Sequence, residues 1–269
     1  MKNTSCIFTV IKNEHEYLDD WIRYHLDIGV NHLFIFEDID SETHKDIVDK
    51  YDNVSLNSIS MLFDDSIYKL KEKDGFQKEY IKHGLSYIKD NFNYDWCFSL
   101  DCDEYITVNG KLSEVLDRFT KYDAIMLQWK NYGCSGHIKK PIYDKPIWEI
   151  YTEECGYSKS DKKYCNCTKM CFNMNTFEER FVYGNHVAIC RFVKPDFSKN
   201  RGNVVFGDIY LRHYITKSFE EYLWKLYKRG MMYKSHRKID DFFEMHPQLI
   251  DKKEELIKEY AVFGGFQTF

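Results

Sequence analysis

The chain has 269 residues, of which 43% are hydrophobic and 30% charged, a balance typical of a globular protein with one large domain. Its 43 acidic and 38 basic residues give a formal net charge of −5, which argues against a general nucleic-acid-binding protein. No apolar run is long enough to span a bilayer and the first residues lack the form of a signal peptide, so we expect a cytoplasmic protein, peripheral to a membrane at most, with mostly reduced cysteines.

The first 110 residues alternate between strand and helix patterns. Strands are predicted at CIFTVI, NHLFIFED, NVSLNSI and YDWCFSLDCDEYI. Helices are predicted at KNEHEYLDDWIRYHLDIGV, with Asn13 as a candidate N-cap, at SETHKDIVDKY, with Ser41 as N-cap, and at KDGFQKEYIKHGLSYIKDNF. This alternation is typical of an α/β fold, in which crossover helices connect parallel strands.

The second half begins with a helix at KLSEVLDRF and a strand at AIMLQW, followed by an irregular, turn-rich stretch. Strands at TKMCFNM, HVAICRFV and VVFGDIYLRHYI are expected to form a mixed or antiparallel sheet. From Ser218 the pattern is helical again. This last region interleaves aromatic and basic residues, which favours a core-packing face with a solvated basic flank; contact with a membrane surface is the alternative.

Acidic residues follow two of the predicted parallel strands, where such sheets bind ligands. Glu37 and Asp38 end the second strand, and Asp101, Asp103 and Glu104 end the fourth. In an extended segment Asp101 and Asp103 share a face, whereas Glu104 points away and is expected to pair with a base in a neighbouring loop. Paired carboxylates suit Mg²⁺ or Mn²⁺, so this D-x-D predicts a metal site, with a solvated turn as the alternative.

Further polar residues are candidates for the same chemistry. His213 follows a strand and is a candidate third metal ligand, because Mn²⁺ sites accept imidazole; a satisfied polar residue is the alternative. His186 is a candidate for substrate contact. Lys12, Asn13 and Glu14 end the first strand and supply donors and acceptors for a nucleotide base, a role compatible with capping the next helix.

Four cysteines raise the question of a zinc site. Cys155, Cys165, Cys167 and Cys171 lack the paired C-x₂-C spacing of structural zinc sites, so buried thiols are the favoured interpretation. No glycine-rich phosphate-binding fingerprint is present, which disfavours a dinucleotide or Walker-type site.

These segments, in order along most of the chain, resemble the family 2-like and family 92-like glycosyltransferases. TVIKNEHEYLDDWIRYHLDIGVNHLFIFED resembles the opening strand, the Lys-Asn-Glu turn, the Trp-x₃-His helix and the second strand. FQKEYIKHGLSYIKDNFNYDWCFSLDCDEYI resembles the Gln-containing helix and the D-x-D-E strand. WKNYGCSGH resembles the acceptor segment, and TKMCF, GNHVA and LRHYITKSFEEYLWKLYKRG resemble the Lys strand, the His and the closing His-Tyr block. The usual Arg-Pro after the Lys strand is replaced by CFNMNTF.

The resemblance implies a GT-A fold, with a Rossmann-like, mostly parallel central sheet flanked by helices, a small antiparallel sheet and C-terminal helices. Residues 1–217 would form the glycosyltransferase domain, with a nucleotide-binding half at 1–110 and an acceptor half at 111–217. Residues 218–269 would form a helical extension packed on that domain, the region for which membrane contact is the alternative interpretation.

The resemblance further implies transfer of a sugar, with inversion, from a UDP-sugar or another nucleotide-sugar to a glycan or lipid-linked acceptor, as in polysaccharide biosynthesis. The cofactor would be Mn²⁺ or Mg²⁺, bound by Asp101, Asp103 and His213. The implied donor-binding residues are Val10, Lys12, Asn13, Glu14, Asp38, Gln77, Asp101, Lys169 and His186.

Catalysis would also need a base to take the acceptor proton. The resemblance does not identify it, and position alone suggests Glu153, Asp144, Asp208 or His137, with Asp103 also counted at the reaction centre. Two alternatives remain open. One is a non-catalytic nucleotide-sugar or carbohydrate-binding module. The other, a metal-dependent phosphoesterase or nucleotidyltransferase, is disfavoured because a second carboxylate cluster for a two-metal site is missing.

Overall fold

The computed structural model describes residues 3–63, 76–156, 168–184, 187–188, 190–193, 207–227 and 237–264. The strands are β1 Ser5–Ile11, β2 His32–Glu37, β3 Val54–Ser58, β4 Trp96–Ser99, β5 Glu104–Val108, β6 Ala124–Asn131, β7 Thr168–Asn173, β8 Val182–Gly184, β9 Val187–Ala188, β10 Phe192–Val193 and β11 Ile209–His213. The α-helices are α1 His15–Asp27, α2 Lys45–Val48, α3 Phe76–Asn91, α4 Leu112–Asp117, α5 Ile147–Ile150, α6 Phe219–Tyr227, α7 Ile239–Met245 and α8 Lys253–Gly264. Short 3₁₀ helices span Ile59–Leu62, Glu179–Phe181 and Pro247–Lys252.

The main sheet has the strand order β3-β2-β1-β4-β7-β6-β11-β5, with β10 beside β6. β1 is parallel to both β2 and β4, and β2 is parallel to β3. β7 is antiparallel to its neighbours β4 and β6, so the sheet is mixed. The strands β8 and β9 form the small antiparallel sheet. The predicted α/β fold, with a mostly parallel sheet flanked by helices, is confirmed.

The parallel half of the sheet has a dense core around β1. Every residue of β1 is buried, as expected for a strand with neighbours on both edges and cover on both faces. Helix α3 packs so closely on β1 that a Cβ added to Gly84 would lie 2.1 Å from the ring of Phe8. Glycine is therefore required at this crossing.

Helix α1 binds the backbone of β5, the last strand in the sheet order. The Trp21 indole N–H donates to Glu104 O at 2.8 Å, and the Tyr24 hydroxyl donates to Ile106 O at 2.8 Å. His25 Nε2 accepts from Ile106 N–H at 3.3 Å, and its Nδ1–H donates to Trp21 O at 2.8 Å. The Trp-x₃-His pattern of the sequence thus satisfies backbone groups that an edge strand would otherwise leave open.

Two predicted helix caps are wrong. Helix α2 begins at Lys45, and Ser41 instead donates a hydrogen bond to Asn13 Oδ1 at 3.3 Å. Asn13 lies two residues before α1 and has a φ of +52°, in the left-handed region that asparagine tolerates. Its Oδ1 also accepts from Glu42 N–H at 2.8 Å, so both side chains join two loops rather than cap helices.

The chain divides into two compact units. One comprises residues 1–129 and 166–212 and contains the parallel strands; the other comprises residues 130–165 and 213–269. Aromatic residues of α6, α7 and α8 build the core of the second unit, among them Phe219, Phe242 and Tyr260. The domain boundary at residue 217 remains a prediction. Within the described ranges, no helix combines the length and apolar character that crossing a membrane requires.

Candidate functional site

Polar residues follow the carboxyl ends of three adjacent parallel strands. Lys12 follows β1, Asp38 follows β2, and Asp101 follows β4. Because β1 lies between β2 and β4, the structure brings these residues to one edge of the sheet, as expected. The Asp38 N–H donates to Ile11 O at 2.9 Å, which continues the strand pairing into the loops.

The acidic segment, residues 101–104, forms a turn and not the extended strand that we predicted; we call it the acidic turn. β4 ends at Ser99 and β5 begins at Glu104, with Asp101 and Asp103 between them. The Glu104 N–H donates to Asp101 O at 3.1 Å, and the Asp101 N–H donates to Glu104 Oε2 at 2.9 Å. The alternation of faces along an extended chain therefore does not apply to these carboxylates.

Lys169 brings a positive charge to this turn. Its Nζ lies 2.7 Å from Asp101 Oδ2 and 3.7 Å from Glu104 Oε2. β7 runs antiparallel to β4 with Cys171 opposite Phe98, so a residue two positions earlier on β7 lies beyond the end of β4. The base expected to pair with Glu104 is thus a residue of a central strand, not of a neighbouring loop.

The acids of the turn differ in environment. Glu104 is fully buried, and burial raises its pKa well above the ordinary value, with Lys169 opposing that rise and the neighbouring Asp101 and Asp103 adding to it. Asp103 is 9% exposed, whereas the Asp101 side chain is 42% exposed. Asp101 is therefore the carboxylate of the turn that a ligand reaches most easily. Glu104 is buried beneath the turn's surface and stabilises the turn through its bond to the Asp101 N–H.

Lys12 and Asp38 form a second polar pair at the same edge. Lys12 Nζ lies 3.9 Å from Asp38 Oδ2, and the lysine side chain is 13% exposed. Asp38 Oδ1 accepts from the backbone N–H of Ile39 at 2.8 Å. The side-chain oxygen Oδ1 of Asn13 already accepts the hydrogen bonds from Ser41 and Glu42 described above, so it is less available to recognise a nucleotide base.

A histidine that sequence reasoning missed fixes the turn after β1. His44 Nε2 accepts from the Glu14 N–H at 2.9 Å, so Nδ1 carries the proton and faces Glu37 Oε1 at 3.0 Å. Burial lowers the pKa of His44, which favours this neutral form, while Glu37 acts in the opposite direction. A histidine seven residues after an acidic strand end was the only signal in the sequence.

The remaining donor-binding candidates of the first unit are less informative. Val10 is buried in β1, and Gln77 is buried in the first turn of α3, the helix that precedes β4. His186 lies outside the described residues, and its role stays a prediction.

In the second unit, His213 ends β11 and is buried. Its Nδ1 lies 3.1 Å from Asn131 Oδ1. Because an amide oxygen only accepts, Nδ1 carries the proton and Nε2 the lone pair. This is the tautomer in which histidine ligates a metal ion through Nε2.

The candidate bases have different surroundings. Glu153 is exposed and His137 half-buried, both in the second unit, and their role stays a prediction. Asp208 pairs with Arg118 at 2.5 Å, and its carbonyl accepts from Asn109 N–H at 2.9 Å. Asn109 follows the far end of β5, about 16 Å along the strand from Glu104. The structure thus does not bring Asp208 to the acidic turn.

Two of the four cysteines considered as zinc ligands, Cys165 and Cys167, lie outside the described residues. Burial raises the pKa of Cys155 to about 12 and that of Cys171 well above the ordinary value, so both side chains are protonated thiols at neutral pH in the metal-free protein. The described cysteines form no disulfide.

The donor set of the acidic turn fits a hard divalent ion. In the described part of the chain, no three His, Cys, Asp or Glu side chains cluster closely enough to cage a metal. Mg²⁺-type ions, however, are commonly bound through one or two carboxylates together with substrate phosphates and water. Asp101 and Asp103 supply such carboxylates, so the residues fit an ion shared with a phosphate-bearing substrate.

Comparison with known proteins identifies a family whose sequence profile covers most of the chain. The sequence profile of glycosyltransferase family 92 matches residues 2–246. A glycosyltransferase family 92 protein of rice (Oryza sativa subsp. japonica) is 22% identical over 144 residues, which are 52% of this chain and 23% of the rice protein. The matched region is thus less than a quarter of that relative's length.

Solved structures give weaker matches. HddC from Yersinia pseudotuberculosis is 9% identical, with a TM-score of 0.36, covering 71% of this chain and 88% of that one. Glucosyl-3-phosphoglycerate synthase from Mycobacterium tuberculosis, in complex with Mn²⁺, UDP and phosphoglyceric acid, is 12% identical, with a TM-score of 0.31, covering 50% of this chain and 44% of that one.

Proposed function

The chain belongs to glycosyltransferase family 92, and on this premise we propose that it moves a sugar from a nucleotide-sugar, expected to be a UDP-sugar, to a glycan or lipid-linked acceptor. The acidic turn carries this proposal, because Asp101 and Asp103 follow β4 at the carboxyl edge of the parallel strands. Lys12 and Asp38 stand at the same edge, where α/β sheets bind nucleotides.

The chain's own groups match the parts of such a donor. The Lys12 ammonium is suited to a phosphate oxygen, and the carboxylates of Asp38 and Asp101 are acceptors for the hydroxyl and N–H groups of a nucleoside. The partial exposure of Asp101 supports a direct ligand contact. The His44 bond to the Glu14 N–H holds the turn that carries Lys12.

We also propose that donor turnover depends on Mn²⁺ or Mg²⁺ held by Asp101 and Asp103. When bound, such an ion neutralises the charge that grows on a diphosphate leaving group, a form of stabilisation often large in catalysis. His213 stays the proposed third ligand. Glu153, Asp144 and His137 remain the candidates for the base that takes the acceptor proton in an inverting transfer.

A screen of nucleotide-sugars tests this proposal. The purified chain is incubated with each donor, with Mn²⁺ or with EDTA, and released nucleoside diphosphate is measured. We expect Mn²⁺-dependent release from one donor class and a loss of about 100-fold or more in Asp103→Asn. Asp90→Asn, an exposed aspartate at the end of α3, is the matched control and should retain activity.

The same experiment separates the alternatives. Calorimetric binding of a nucleotide-sugar, without turnover in the presence of any acceptor, would favour a binding module. Release of inorganic phosphate or pyrophosphate would favour a phosphoesterase or a nucleotidyltransferase. Full activity of Asp103→Asn would show that the Asp103 carboxylate is not needed for donor turnover and would contradict the role proposed for this turn.

A further inference from the structure

The Lys169 side chain is a buried cation in the centre of the sheet. It is only 2% exposed, and β7 lies between β4 and β6. Lysine is seldom buried to this degree unless its charge is paired. Here the pairing is with Asp101 at 2.7 Å and Glu104 at 3.7 Å, which are the two ends of the acidic turn.

This geometry argues against a direct contact between Lys169 and a nucleotide, the role that the resemblance implied. The ammonium is covered, whereas the side chain of its partner Asp101 is 42% exposed. A ligand therefore reaches Asp101 more readily than Lys169. The charge of Lys169 is therefore directed at the protein's own carboxylates.

Asp101 is held at two points. Its backbone N–H donates to Glu104 Oε2 at 2.9 Å, and its carboxylate Oδ2 receives the Lys169 ammonium at 2.7 Å. Both partners are buried, so neither yields easily to solvent. This leaves Oδ1 of Asp101 as the oxygen that is not committed to this ion pair.

We propose that Lys169 is a positioning residue, which acts on donor turnover through Asp101 and not by touching the donor. This rests on the proposed function, since it assumes that Asp101 contacts the donor or its metal ion. By binding Oδ2, Lys169 fixes the carboxylate plane and directs Oδ1 toward the ligand. Supporting groups of this kind matter because a misplaced reactive group loses much of its effect.

A double-mutant cycle tests the coupling. The value of kcat/KM for the donor is measured in the wild type, Lys169→Met, Asp101→Asn and the double variant. We expect a loss of about 10-fold or more in Lys169→Met, and a double variant within about twofold of Asp101→Asn alone, because Lys169 acts through Asp101. If the loss of kcat/KM in the double variant equals the product of the losses in the two single variants, the proposal is overturned, and a separate contact of Lys169 with the donor is indicated. Wild-type activity of Lys169→Met would also overturn it.

Lys82→Met is the matched control, because Lys82 forms an ion pair with Glu179 at 3.0 Å in the same unit, outside the acidic turn. It should leave kcat/KM unchanged. Circular dichroism confirms that each variant is folded. If Lys169→Met does not fold, Lys169→Gln takes its place in the cycle.

An NMR measurement gives an answer that does not depend on turnover. In protein labelled with ¹⁵N at lysine, a buried, paired ammonium exchanges its protons slowly and gives an observable Nζ signal. We expect one such signal to disappear or shift in Asp101→Asn and to remain in Lys82→Met. A spectrum unchanged by Asp101→Asn would refute the pairing. If no nucleotide-sugar is turned over, the proposed function fails while this signal still decides whether Lys169 holds Asp101.

Discussion

Replacement of His25 by alanine tests how α1 holds β5, the strand that begins at the acidic turn. His25 is fully buried between Trp21 O and Ile106 N–H. Without the ring, the Ile106 amide loses its acceptor, which costs about 1–3 kcal/mol. The cavity left by the imidazole ring lowers the free energy of unfolding by about a further 1–2 kcal/mol. We therefore expect the free energy of unfolding to fall by about 3 kcal/mol at pH 7.5.

Acid should shrink this difference. Burial lowers the pKa of His25 to about 3 from an ordinary value of 6.5. The folded state thus favours the neutral ring, and the stability that the ring contributes is complete above pH 6.5 and is lost as the pH falls towards 3. At pH 5, protonation of His25 in the unfolded chain lowers the stability of the wild type by about 2 kcal/mol, a contribution that the alanine variant lacks.

Urea unfolding followed by tryptophan fluorescence measures both effects. The difference between wild type and His25→Ala should shrink from about 3 kcal/mol at pH 7.5 to about 1 kcal/mol at pH 5. His83→Ala, in which a partly exposed ring is removed, is the control and should lose less than about 1 kcal/mol at pH 7.5. An equal difference at both pH values would refute the low pKa and the buried bonding of His25.

Three further outcomes are expected. Gly84→Ala should lower the free energy of unfolding by about 2 kcal/mol, because the new methyl group meets the Phe8 ring at 2.1 Å; an unchanged thermal transition would contradict this close packing. Asn13→Gly should be more stable than Asn13→Ala by about 1 kcal/mol, because the φ of +52° strains alanine and not glycine; the opposite order in urea unfolding would refute that backbone conformation. Trp224 and Tyr227 are 42% and 46% exposed on α6, so if the C-terminal helices contact a membrane, replacing both by alanine should reduce co-sedimentation with anionic vesicles several-fold; a wild type that does not sediment would remove that contact.

The parallel half of the fold follows from local sequence patterns. Runs such as CIFTVI and the centre of NHLFIFED are rich in apolar, β-branched or aromatic residues, and segments with a helical pattern separate the predicted strands. Parallel strands joined by crossovers place their carboxyl ends on one edge, so the neighbourhood of Lys12, Asp38 and Asp101 could be predicted without coordinates.

The shape of the acidic turn could not be predicted in the same way. WCFSLDCDEYI has the apolar character of one strand, but Asp101 and Glu104 bond to each other and split it into β4 and β5. Short polar side chains that bond to nearby backbone compete with strand pairing, and a propensity for extended structure does not reveal which wins.

The supporting roles of these residues could not be predicted because their partners are distant in sequence. Lys169 lies 68 positions from Asp101, and His25 lies 81 positions from Ile106. His44 is closer to Glu14, but its role depends on the register of two loops. A single sequence shows that such residues are polar, and only the packing of strands and loops shows what they hold.

The central claim is that the acidic turn after β4 carries donor turnover in a glycosyltransferase. The most direct measurement is the rate of nucleoside diphosphate release from the donor found in the screen, with and without Mn²⁺, in Asp103→Asn and in the control Asp90→Asn. The account predicts Mn²⁺-dependent release that falls about 100-fold or more in Asp103→Asn and is unchanged in Asp90→Asn. Equal release by both variants, or release unaffected by Mn²⁺ removal, would contradict it.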